Sequence, residues 1–143
     1  MKIATARFGE VEIDPAKIIT LNEGMVGFPN YKRYAFMPFM EDTPFELFQA
    51  VDHGNLAFVT VDPFLFCDDY QFDISDDDLE TLQVKSKEDI TIKVIVTIPE
   101  DPKGMTANLQ GPLVINESRL LAKQIILHDT KYGTKHPVFS EAK

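Results

Sequence analysis

A single cysteine, Cys67, rules out any disulfide within this chain, so its core alone must hold the fold. It follows Phe64-Leu65-Phe66, and cysteine in such company packs as a small hydrophobe. Histidine is scarce too. His53, His128 and His136 are scattered, with no HExxH motif and no cysteine–histidine pairing, so no metal site is expected. Tryptophan is absent. No apolar run approaches the ~20 residues of a membrane helix. The first residues, MKIATARFGEVEID, hold no apolar stretch of a secretion signal. These absences lead to the expectation of a cytoplasmic protein without cofactor. No phosphate-cradling glycine loop is present. Gly24 and Gly27, three apart, read as a loop that needs positive φ.

Base is what the middle of the chain lacks most. The whole protein carries −9, yet Glu41–Asp89 alone holds 14 acids against 2 bases. Within it, Asp68–Glu80 (DDYQFDISDDDLE) has seven carboxylates and no base. Such a surface repels nucleic acid and attracts a cationic protein. A calcium loop does not fit. Counted from Asp73, the sixth and twelfth positions hold Asp78 and Val84; from Asp68 they hold Asp73 and Leu79. An EF-hand needs glycine and glutamate there.

What is abundant is short apolar segments punctuated by nine prolines and seven glycines. The pattern predicts strands over Ile3–Phe8, Glu10–Ile13, Ile18–Leu21, Tyr34–Met40, Phe45–Val51 and Leu56–Val61. It predicts further strands over Ile90–Ile98, Met105–Asn116 and Lys123–Leu127. In Ile90–Ile98, Ile92, Val94, Val96 and Ile98 share one face. One helix is expected, Asp76–Leu82, capped by Ser75, with Asp78 at the capping-box position and Asp76, Asp77 and Asp78 in the first turn. The fold class is mostly β: one small barrel-like domain of antiparallel and mixed strands with one or two short helices. The domain is placed at residues 1–139, with fraying from Val138 and a tail at 140–143.

Two surfaces are candidates. The acidic run Asp68, Asp69, Tyr70, Gln71, Asp73, Asp76, Asp77, Asp78 and Glu80 is either a solvated helix start or a face for a basic partner. Phe64, Leu65 and Phe66 are either core or an apolar strip beside that run, with Gly27-Phe28 as a neighbouring wall and Tyr70 and Phe72 at the border. Tyr34 and Phe36 read as core on one strand face. An alternative use of the acids is hydrolysis by a carboxylate pair, Asp69 with Asp73 or Glu80. A solvated strip does not separate two carboxyl pKa values as that chemistry requires. No catalytic residue is assigned.

Several blocks, in order, carry a resemblance. They are Phe8-Gly9-Glu10, GMVGF at Gly24–Phe28, LAFVTVDPFLF at Leu56–Phe66 and DYQFDI at Asp69–Ile74. VIVTIPEDP at Val94–Pro102, MTANLQGPLVIN at Met105–Asn116, KQIIL at Lys123–Leu127 and HPVF at His136–Phe139 complete them. The chain thus resembles the flagellar assembly factor FliW family over Met1–Phe139. Gln71 departs by standing where many relatives have an acid, and Ser118–Ala122 replaces a more basic turn. The resemblance implies a non-enzymatic cytoplasmic chaperone of flagellum biogenesis with two protein partners, no direct nucleic acid, no membrane, and a monomer when free. The partners are flagellin, held before export, and CsrA, an RNA-binding repressor of translation. Flagellin displaces CsrA, so free flagellin shuts down its own translation. It also implies that CsrA is engaged outside its RNA groove. The acidic run is then the candidate CsrA face. Phe28, Phe64, Leu65, Phe66, Tyr70 and Phe72 are the candidate flagellin face.

Overall fold

A computed structural model describes residues 1–128 and 130–139. Among these, the strands run in the following order. β1 (Lys2–Thr5) and β2 (Gly9–Glu12) form a separate antiparallel hairpin. β3 (Ile19–Thr20) precedes the meander β4 (Arg33–Pro38), β5 (Glu46–Ala50) and β6 (Ala57–Val61). After the helix α1 (Asp76–Thr81) come β7 (Ile90–Thr97), β8 (Thr106–Ala107) and β9 (Leu113–Asn116). β10 (Leu121–Gln124) and β11 (His136–Pro137) end the series.

The large sheet closes on itself. β6 pairs with β7, β7 with β9, β9 with β10, β10 with β3 in parallel, and β3 with β4. The expected barrel of mixed strands is therefore present, and closure removes most of the open edges that a flat sheet would leave. β8 and β11 extend it from the far half of β7.

The register explains the core. Ile19 lies beside Tyr34, Ile115 beside Ala122, and Phe48 between Phe36 and Phe58. These residues belong to one cluster, which fills the barrel. Alternate side chains point the other way. Val61, Val94 and Val96 face outward and are covered by Tyr70, Met105, Ala107 and Leu109. Val114 is covered by Leu82, Ile125 and Leu127. As expected, Ile92 and Ile98 share the Val94–Val96 face.

Three expectations change. The stretch Met105–Asn116 is two strands, because Asn108 Oδ1 accepts the N–H groups of Gln110 (3.1 Å) and Gly111 (3.0 Å) and turns the chain before Pro112. The strand expected at Lys123–Leu127 starts at Leu121; Ile125 and Leu127 donate instead to Pro112 and Gln110 carbonyls within that turn. Fraying does not begin at Val138, which is buried and donates its N–H to Met105 O at 3.0 Å. Residues 140–143, assigned as a tail, lie outside the described residues.

Gly24 and Gly27 take φ of +67° and +89°, as a positive-φ loop requires. At Gly24 a Cβ would also lie 2.4 Å from Phe28 O.

Candidate partner-binding site

The chain leaves β6 at Asp62-Pro63. Asp62 Oδ1 accepts the Phe64 N–H at 2.9 Å, and Pro63 presets the first position of a single helical turn over Pro63–Leu65. This turn throws Phe64 and Leu65 outward, to 43% and 61% exposure. They form the apolar strip, not core. Phe66 is half-buried and its ring packs against His136 at 5.9 Å. Cys67 Sγ lies 3.4 Å from Asp69 Oδ1. Burial, then the neighbouring carboxylates, push its thiol pKa up, which is the opposite of an activated nucleophile.

Asp68–Ile74 then crosses the surface without helix or strand. Asp68, Asp69, Gln71 and Asp73 are exposed, while Phe72 and Ile74 are half-buried. Tyr70 is the exception. It is 3% exposed and its hydroxyl donates to Leu109 O at 2.6 Å. Placing it on either contact face is therefore corrected: it anchors the strip from beneath. Burial pushes its phenol pKa well above the ordinary value.

At α1, Ser75 Oγ accepts the Asp78 N–H at 3.1 Å, so the expected cap is present. The carboxylate of Asp78 does not complete a capping box. It binds Lys123 Nζ at 2.6 Å, and the same ammonium lies 3.0 Å from Glu23. Those two bonds, led by Asp78, hold the Lys123 pKa above its ordinary value. Asp78 is thus a half-buried internal partner and not free surface charge. Asp76, Asp77 and Glu80 remain exposed.

These pieces meet in one groove of about 540 Å³. Phe64, Phe72, Ile74, Leu79, Ile90 and Ile92 line it, and Asp73 stands at its margin. Nothing in the sequence connects Ile74, Leu79 and Ile90 to the strip. The strand pattern of β7 gives no sign that its first residues meet a helix flank. Phe28 does not join this groove. Its ring packs edge-on against Phe58 at 5.8 Å, on the barrel-core side of β6, whereas Phe64 packs on Tyr70 with the outward cluster. Opposite faces of one strand keep the two apart. Phe28 is exposed at 40%, but as a separate feature.

Among the described residues, no three His, Cys, Asp or Glu side chains are grouped to share a metal ion. Among the same residues, no helix is long and apolar enough to cross a membrane.

Comparison with known proteins places this geometry. Residues 2–138 match the family described as FliW protein. The flagellar assembly factor FliW of Natranaerobius thermophilus is 44% identical over 142 residues, covering 99% of this chain and 94% of the relative. That of Bacillus subtilis is 37% identical, covering 99% of both. A crystal structure of the flagellar assembly factor FliW superposes with a TM-score of 0.93 at 38% identity, covering 99% of each chain. A barrel that matches so completely, with a family match over residues 2–138, makes this chain a member of the FliW family of flagellar assembly factors.

Proposed function

We propose that the chain is a non-enzymatic binding protein that holds flagellin before export and, alternately, CsrA, keeping CsrA from repressing flagellin translation. One observation carries this reading. Phe64 and Asp73 line one groove, and the exposed Leu65, Asp68 and Asp69 lie between them in the chain. Apolar contact suits the amphipathic terminal helices of an unpolymerised flagellin. Charge suits a protein that must bind RNA. Because the two features abut, one partner covering the groove crowds the other at the acidic border. Hydrolysis by a carboxylate pair is not favoured by the exposure of Asp69, Asp73 and Glu80, since nothing desolvates one against the others.

The test is exchange. CsrA labelled with a fluorophore is bound to this protein, and purified flagellin is titrated in. Release of CsrA in proportion to flagellin supports the reading. Simultaneous binding of both at saturation contradicts it.

A further inference from the structure

The strip from Asp68 to Ile74 belongs to no strand, so its backbone has no ladder to fix it. A residue from the other end of the chain takes that part. The Gln71 N–H donates to Tyr132 Oη at 3.1 Å, and the same hydroxyl donates to Asp69 O at 3.4 Å. One phenol thereby bridges the backbone on both sides of Tyr70. The two rings meet edge-on, with centroids 4.7 Å apart at 76°.

Tyr132 is itself held. Its N–H donates to Thr130 Oγ1 at 3.2 Å, and Gly133 O accepts the Leu109 N–H at 3.0 Å. Leu109 O is the acceptor of the Tyr70 hydroxyl. The acidic strip and the segment carrying Tyr132 therefore converge on one fully buried residue. Among the described residues, the hydrogen bonds of the Tyr132 hydroxyl go to exposed backbone of the strip. Its hydrogen bonds contribute order there and little to the core.

We infer that Tyr132 is a positioning residue for the partner-binding strip, holding the Asp69–Gln71 backbone so that the carboxylates of Asp68, Asp69 and Asp73 are presented in one arrangement. A partner then meets a face already ordered, and the ordering cost that would weaken binding is removed in advance. This rests on the reading that the strip contacts CsrA.

The experiment uses Tyr132→Phe, which keeps the ring and removes the hydroxyl, with Asp68→Asn as a control. Amide hydrogen exchange at Gln71 is read on the free protein, and affinity for purified CsrA is read separately, with thermal stability checked for each variant. Exchange at Gln71 is expected to rise and affinity to fall, each by roughly three- to tenfold, the factor one net hydrogen bond carries. The melting temperature should stay close to that of the natural protein. Unchanged exchange at Gln71 overturns the inference whatever CsrA does. Faster exchange with unchanged affinity overturns it if Asp68→Asn weakens CsrA binding, because the strip then binds without needing to be held. If Asp68→Asn is also without effect, the functional reading of the strip has failed, and the binding role of Tyr132 falls with it.

Discussion

Two buried tyrosines with opposite surroundings show how much a single hydroxyl decides. Tyr34 is fully buried in the barrel and its hydroxyl has no hydrogen-bond partner among the described residues, whereas the Tyr70 hydroxyl satisfies Leu109 O. Tyr34→Phe is expected to be neutral or to stabilise by up to about 1 kcal/mol, and Tyr70→Phe to cost about 1–3 kcal/mol by orphaning a buried carbonyl. Urea unfolding of the two variants checks this; equal effects would contradict it. Burial raises the phenol pKa at both sites, to about 12 for Tyr34. For an acid whose folded pKa is raised, the unfolded chain loses its proton first. Stability is then full below about pH 10, the ordinary tyrosine value, and falls as pH climbs toward the folded value. Unfolding measured from pH 8 to 11 should show this alkaline loss, and Tyr34→Phe should reduce it. Asp78 supplies the other residue-scale contrast. Asp78→Asn breaks the pair with Lys123 and should cost roughly 1 kcal/mol, while Asp76→Asn and Asp77→Asn stay within about 0.5 kcal/mol. Sequence alone could not separate these three neighbours, because the partner sits 45 residues away.

Elements were legible where the pattern was local. The alternation in β7, the meander of β4 to β6 and the Ser75 cap of α1 all stand where periodicity and capping chemistry put them. What failed did so where apolar periodicity gives no signal. The stretch Met105–Asn116 is expected as one strand, but the Asn108 side chain competes for two backbone donors and breaks it. The two-residue β11 is too short to leave a periodic signal. Phe64 and Leu65 look like core in composition, and only the Asp62-Pro63 turn reveals that they point outward. The N-terminal hairpin illustrates a constraint invisible in sequence. It docks so tightly that a Cβ on Gly54 would lie 2.5 Å from Ala4 O, and Ala6 N–H donates to Gly54 O at 2.9 Å. Gly54→Ala should displace the hairpin, seen as faster amide exchange at Ala6 and a lower melting temperature. Native exchange and stability in that variant would show that the close approach is not needed.

At the scale of the molecule, the barrel carries on one side an apolar groove and a run of mostly exposed acid. The charge asymmetry was plain in the sequence, since Glu41–Asp89 holds 14 of the 23 acids. The groove was not, because its walls come from α1, β7 and two loops. If CsrA is engaged outside its RNA groove, the coupling must be reciprocal. A ternary complex of RNA, CsrA and this protein should then be detectable by gel shift at high concentration; strict competition would indicate carboxylates standing in for phosphates. In the proposed function, charge holds CsrA and apolar contact holds flagellin on adjoining surfaces. The most direct measurement is the affinity of this protein for each partner from about 0.1 M to about 1 M salt, over which the Debye length falls from about 10 to about 3 Å. CsrA binding is expected to weaken steeply while flagellin binding holds, and Leu65→Ser, at a side chain already 61% exposed, is expected to lower only the latter. Affinities that fall in parallel with salt, or a correctly folded Leu65→Ser variant that binds flagellin normally, would contradict it.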